Sequence, residues 1–225
     1  MVAGNGSVEL CECLQRILVC PRDVALSIGR HATDRRYAVK TTMVKQGDQM
    51  LATYLLVGGR AQALTFGLEG RLVLLQEYER GDVFGMVPSD EPAVEDADVI
   101  AVDEVRAAVF LTSDFVALLE THGCLAVLVS RTLLRQLRTA SLRVRERSTL
   151  SANGRVHAEL LRLARLRDGR TIRPAPVLSS LATRIHSTRE TVSRAINGLE
   201  RRGIIRRDGE ALMIVAPHRL EELIV

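Results

Sequence analysis

Residues 177–209 read VLSSLATRIHSTRETVSRAINGLERRGIIRRDG. Ser179 or Ser180 can open a short helix carrying Leu181, Ala182 and Ile185. His186-Ser187 makes a tight break. Thr188 can then open a second helix running to about Arg202, with Val192, Ile196 and Leu199 on its buried face. Gly203 stops it. Ile204 to Arg207, the turn Asp208-Gly209, and Ala211 to Val215 read as a two-stranded hairpin. Helix, short turn, helix and hairpin make a winged helix-turn-helix.

The side chains fit that reading. Burying Val192 and Ile196 turns Arg189, Glu190, Ser193, Arg194 and Asn197 onto other faces. Arg189, Glu190 and Arg194 sit in the first two turns, the part of a recognition helix that enters the major groove. Arginine can donate two hydrogen bonds to guanine, and glutamate can accept one from cytosine. Ser179, Ser187, Thr188 and Thr191 offer hydroxyls for phosphates, beside the N–H groups of the helix start. Arg206 and Arg207, with Arg201 and Arg202, add positive charge. The alternative is a solvated helical face with an i,i+4 Glu190–Arg194 pair.

Upstream, Gly154 to Arg167 is amphipathic, with Leu160, Leu161, Leu163 and Leu166, and Asp168-Gly169 ends it. Pro174 and Pro176 mark a connector. The stretch 113–148 lacks proline and reads as one helix, capped by Thr112 or Ser113 and carrying Asp114 in its first turn. Gly123 lowers helix propensity and can delay its start. Ala126, Ser130, Leu133, Leu137, Ala140 and Val144 recur at steps of four and three. A stripe with a 3.5-residue period on a helix of ~35 residues predicts a homodimer seam. The alternative is packing on its own domain alone.

The front of the chain differs. Residues 8–30 read as a helical segment punctuated by Pro21. From 37 to 112, short β-rich runs alternate with glycine turns: Val44 to Asp48, Tyr54 to Gly59, Leu72 to Leu75, Gly81 to Gly85, Val99 to Val102, and Val105 to Leu111. These predict a small antiparallel sandwich or roll, with Glu69-Gly70 at a hairpin turn and a Pro- and acid-rich loop over 88–98. The fold class is therefore α+β: an antiparallel β-roll with an N-terminal helix over 1–112, a dimerisation helix over 113–148, and a winged helix-turn-helix over 149–225.

Charge follows the same division. The 225 residues carry a net charge of +4. Residues 1–130 hold 11 Lys and Arg against 18 Asp and Glu, whereas residues 131–225 hold 20 Arg against 9 Asp and Glu. The rear therefore carries +11 and suits a polyanion, with an affinity that falls steeply with salt. With 47% hydrophobic residues the chain is no disordered or low-complexity sequence. No leader-like start and no stretch of ~18 apolar residues is visible, so a cytoplasmic location is expected. There is no Ser/His/Asp set, no metal-ligand spacing, no P-loop and no GxGxxG after a strand, which argues against an enzyme.

The sequence resembles the CRP/FNR transcription regulators over nearly its whole length. Ser187 to Arg194 (STRETVSR) and Leu199 to Arg207 (LERRGIIRR) resemble that family's recognition helix and wing. Val44 to Asp48 and Arg80 to Gly85 resemble the glycine turns of its β-roll, and 113–147 falls where its dimer helix would. The resemblance implies a homodimer in which Arg189, Glu190 and Arg194 read TGTGA-like half-sites of a palindrome, with RNA polymerase as a partner.

Two departures bear on the signal. The cyclic-nucleotide branch follows Gly85's position with a ribose-binding Glu and has an Arg-Ser or Arg-Thr pair for the phosphate about ten residues on. Here Met86 follows, and the matching stretch holds Glu95 and Asp96, flanked by Glu91 and Asp98. Carboxylates repel a phosphate, so cyclic AMP is not expected in the usual pose. Thr139, Ala140 and Ser141 fall near that branch's base-contacting Thr-Ser. The oxygen-sensing branch uses four cysteines. Cys11, Cys13, Cys20 and Cys124 do not have its spacing and read better as small buried apolar residues. His31, His122 and Met86 are single haem-ligand candidates without a motif. No cofactor is expected. The front domain is left with another effector, such as a cyclic dinucleotide or an apolar metabolite, with no effector, or with a protein partner at the acidic loop 90–98. A redox or gas sensor of the same family, and a signalling protein whose C-terminal module docks protein, are the competing readings.

Overall fold

The computed structural model describes residues 4–67, 70, 72–85 and 94–224, the first four of these by their backbone. Met86, Glu91 and Glu69 lie outside the described residues. The chain forms two compact units, 1–138 and 139–225.

The first unit opens with α1 (Gly4–Leu18) and α2 (Arg22–Gly29), separated at Pro21. The strands β1 (Thr33–Tyr37), β2 (Thr42–Val44), β3 (Ala52–Gly58), β4 (Ala61–Phe66), β5 (Leu72–Tyr78), β6 (Val83–Phe84), β7 (Asp98–Ala101) and β8 (Val105–Leu111) follow. They form two antiparallel four-stranded sheets, ordered β1-β8-β3-β6 and β2-β7-β4-β5. Period-two alternation sorts their side chains. Leu56, Val105, Ala107 and Val109 join the core between the sheets, with Met43, Ala61, Phe84 and Val99. Leu55, Val57, Ala108 and Phe110 point the other way, onto Leu14, Ile28, Phe115 and Leu125 of the helices. Both faces of β3 are thus covered, which is why its sequence is an almost unbroken apolar run.

β1 and β4 are missing from the sequence expectation. β1 is polar (TDRRY) because it is an edge strand, and Asp34 on it pairs with Arg106 of β8 at 2.7 Å. Gly59 between β3 and β4 adopts φ +80°, and a Cβ there would stand 2.2 Å from the Glu104 carbonyl oxygen.

The single helix expected over 113–148 is corrected to two. α3 (Thr112–Thr121) and α4 (Gly123–Thr149) meet at His122 with a bend of 111°. Neither Thr112 nor Ser113 caps α3; the N-cap is Leu111, which has no side-chain acceptor. Phe115 and Leu118 of α3 and Leu125 and Val129 of α4 enter one core, and the bend lets both helices reach it. α4 is tied to the roll by two further contacts. Thr132 Oγ1 donates to the Gly81 carbonyl at 3.3 Å, and Arg135 pairs with the buried Asp82 carboxylate.

The second unit holds the last turns of α4, then α5 (Ala152–Arg165), β9 (Thr171–Ile172), α6 (Leu178–Arg184), α7 (Arg189–Arg201), β10 (Ile205–Asp208), β11 (Ala211–Ile214) and α8 (Pro217–Glu221). Its core gathers Val156, Leu160, Leu181, Ile196, Leu199, Ile205, Leu212 and Leu220. The wing has three strands, ordered β10-β11-β9. β9 is too short for any sequence period. It exists because Asp168 Oδ1 accepts the N–H groups of Arg170 and Thr171, at 2.9 and 2.6 Å, and aims Ile172 at Leu212.

Candidate nucleic-acid interface and the roll cavity

α7 is fixed from below and capped at its start. Val192, Ala195, Ile196 and Leu199 are all buried. Thr188 is the N-cap, and its Oγ1 accepts the Thr191 N–H at 3.2 Å. The preceding turn is made by His186 at φ +51°, with the Ser187 N–H donating to the Ala182 carbonyl at 2.9 Å. This locks α6 to α7 and leaves Arg189, Glu190 and Arg194 exposed together over the first turns of α7. The carboxylate of Glu190 lies below its usual range, first through its own backbone N–H, then through the Thr188 hydroxyl and the charges of Arg189 and Arg194. It is held ionised, as an acceptor.

The other expected contact residues surround this face. Ser179 is exposed on α6, and Ser187, Thr188 and Thr191 are half-buried at the turn, where the two threonine hydroxyls lie 3.0 Å apart. Arg206 and Arg207 are exposed on β10. Arg207 is also engaged within the unit. It donates to Asn197 Oδ1 at 2.9 Å and lies 3.7 Å from Glu200. The wing is therefore braced against α7, a role not visible in the sequence.

A second charged cluster supports α6 from behind. The buried Glu159 of α5 pairs with Arg162 and with Arg184 of α6, and Arg162 reaches Glu146 at 2.6 Å. His186 is held below the ordinary imidazole value by burial and by Arg147, Arg143 and Arg155. His157 is lowered by burial and Arg202, while its Nδ1–H donates to the Leu223 carbonyl at 3.0 Å.

On α4, Leu125, Val129 and Thr132 face inward and are buried. Of the expected seam, Ala126 is half-buried, Ser130, Leu137, Ala140 and Val144 are exposed, and Leu133 is partly exposed where it borders the roll. Leu137 and Val144 are each 65% exposed, and Leu134 67%. Among the described residues this helix thus presents an exposed stripe with Leu134, Leu137 and Val144 on it.

The roll carries an open pocket of about 290 Å³ between its strands and α4. Tyr78, Phe84, Glu95, Asp96, Leu133 and Gln136 are among its walls. Glu95 is buried, and its carboxyl lies above the usual range through burial and the charges of Asp96 and Asp48. Asp98 is used elsewhere, accepting the Gln46 N–H at 2.8 Å. Gly85 adopts φ +74°, and a Cβ there would stand 2.4 Å from the Ala52 carbonyl and 3.5 Å from Glu95 Oε1. The glycine turn thus brings backbone against this carboxylate.

The four cysteines are free thiols. Cys11 and Cys20 are buried beside the helices of the first unit, and Cys13 and Cys124 pack against the same core. Burial and the neighbouring Cys124 push the Cys20 thiol up to about 11. Among the described residues no three His, Cys, Asp or Glu side chains are grouped to hold a metal ion. His31 Nδ1 lies 3.9 Å from Asp114, and His122 Nε2 lies 3.3 Å from Ser27 Oγ. No single helix among the described residues is long and apolar enough to cross a membrane.

These features have counterparts in known proteins. Residues 34–122 match the cyclic nucleotide-binding domain, and residues 154–223 match the Crp-like helix-turn-helix domain. The cyclic AMP receptor protein of Thermus thermophilus is 26% identical over 209 residues, 91% of this chain and 94% of its own length. The structure of FixK2 from Bradyrhizobium japonicum superposes with a TM-score of 0.70 at 20% identity, covering 86% of this chain and 98% of that one. The c-di-GMP responsive global regulator CLP of Xanthomonas campestris gives a TM-score of 0.71 at 16% identity, covering 90% and 98%. A β-roll with a cavity, a long helix and a basic winged helix-turn-helix, matched in that order along the chain, place this protein in the CRP/FNR family of DNA-binding transcription regulators, which are not enzymes.

Proposed function

We propose that the protein acts as a homodimer on a palindromic DNA site with TGTGA-like half-sites, without cyclic AMP in the family's usual pose. Pairing along the exposed stripe of α4 would set two copies of α7 about 34 Å apart, one turn of DNA. Arg189, Glu190 and Arg194 then read base edges. Ser179, Ser187, Thr188, Thr191 and Arg206 meet phosphates, and Arg207 joins them from the position its bond to Asn197 sets. RNA polymerase is the partner of the DNA-bound dimer, and the protein works in the cytoplasm. No cofactor is required.

The observation that carries this reading is the capped, buried-side-anchored α7 with its one exposed Arg189/Glu190/Arg194 face. Against cyclic AMP stand Glu95 and Asp96, which line the roll cavity, where an anionic phosphate meets carboxylates in place of a cation.

Selection of binding sites from a random DNA pool tests it. Wild type is expected to return a two-fold symmetric consensus. Arg194→Ala is expected to bind about 1–3 kcal/mol more weakly and to lose selectivity at one base pair of each half-site. An asymmetric consensus, or an unchanged one with Arg194→Ala, would refute the assignment.

A further inference from the structure

We propose that the roll cavity binds a small organic ammonium, a protonated amine on an apolar body. Three features of its walls lead there. The first is charge. Glu95 and Asp96 line the cavity, and none of its described lining residues is Lys or Arg. Glu95 is only 9% exposed, and its carboxylate has no hydrogen bond or ion pair among the described residues. Its main chain is anchored: the N–H donates to the Asp48 carbonyl at 2.9 Å, and the carbonyl accepts the Gly47 N–H at 2.8 Å. Two carboxylates on the wall of such a pocket favour a cation beside them.

The second feature is aromatic. Phe84 and Tyr78 line the cavity with ring centroids 4.6 Å apart, and Tyr54 stacks on Phe84 at 4.9 Å. Faces of aromatic rings next to carboxylates are the surroundings that hold alkylammonium groups. Burial and Glu95 push the Tyr78 hydroxyl up to about 12, so it stays a neutral donor.

The third is the amide of Gln136 on α4. Its Nε2 is fully enclosed and makes no hydrogen bond. It awaits an acceptor, such as a hydroxyl on the ligand body. Met50, Leu75, Val83 and Val99 supply the apolar remainder. This chemistry disfavours cyclic mononucleotides and dinucleotides alike, since both are anions.

The inference rests on the reading of Glu95 and Asp96 as excluding a phosphate, and it is tested without DNA, so its failure leaves the DNA assignment standing. Full-length protein is titrated calorimetrically with tyramine, putrescine and choline, with 4-ethylphenol as the neutral and cyclic AMP as the anionic comparison. At least one ammonium is expected to bind at least about tenfold more tightly than both comparisons. Glu95→Gln is expected to weaken that binding about tenfold while melting no lower than wild type, because it discharges an unpaired carboxylate. Failure of all three ammonium probes, equal binding of 4-ethylphenol or cyclic AMP, or unchanged affinity in Glu95→Gln would overturn the proposal. So would a lower melting temperature of the variant, which would mark Glu95 as structural.

Discussion

Thr188 performs two tasks with one hydroxyl. It ends the turn after His186 and satisfies the orphan N–H of Thr191 in the first turn of α7, and it also bonds the Glu190 carboxylate of the exposed face. Thr188→Ala should therefore destabilise the C-terminal unit by about 1 kcal/mol. Urea unfolding followed by circular dichroism checks this, and Thr188→Ser should recover most of the loss. Asp82 has a comparable place in the roll. Its Oδ2 accepts the Glu79 N–H at 2.8 Å while Oδ1 receives Arg135. The glycine-aspartate turn is thus a clamp for α4 as well as a chain reversal.

At the scale of elements, α4 has two unlike sides. Leu125, Val129 and Thr132 hold it to the roll, and Leu134, Leu137 and Val144 are exposed. An apolar stripe repeating every three and four residues is the pattern of helix pairing. Leu137→Glu places a charge on that stripe at an already exposed position, so the monomer fold should survive. It is expected to sediment as a monomer and to bind a palindromic site at least about tenfold more weakly than wild type. A dimer that persists in this variant would move the seam elsewhere. α7 contrasts with α4 because its apolar side is wholly spent on its own unit. Its exposed face is polar.

At the scale of the whole molecule, pH separates the two histidines from the carboxylates. His157 and His186 lie below the ordinary 6.5, each first through burial. The unfolded chain therefore binds protons more readily than the folded one as pH falls below 6.5. Stability should be level above about pH 7 and fall between pH 6.5 and 5. Asp168, lowered to about 2 first by the Arg170 N–H, contributes only at more acid pH. Urea midpoints at pH 7.5 and 5 check the trend. His186→Asn, which tolerates the left-handed turn, should flatten the slope. An unchanged slope would mean that His186 is not among the protons taken up.

Much of this protein was legible in the amino-acid order. The winged helix-turn-helix followed from local signals: a hydroxyl cap, a 3.6-residue apolar period, a stop glycine and a turn dipeptide. Such signals act over a few residues, so they survive without knowledge of the fold. The β-roll was legible as a class but not strand by strand. The polar β1 and the two-residue β9 owe their existence to partners far along the chain, Val109 opposite Thr33 and Leu212 opposite Ile172 among them. The break at His122 was signalled only by Gly123; the shared core around Phe115 and Leu125 is what makes bending worthwhile. The sequence alone marked 188–202 as a capped helix with an exposed Arg189/Glu190/Arg194 face and put carboxylates at positions 95 and 96. Only the tertiary structure decided that Glu95 lines one pocket with Tyr78, Phe84 and Gln136. Desolvation and enclosure are properties of residues brought together from distant strands and a helix, and no spacing along the chain encodes them.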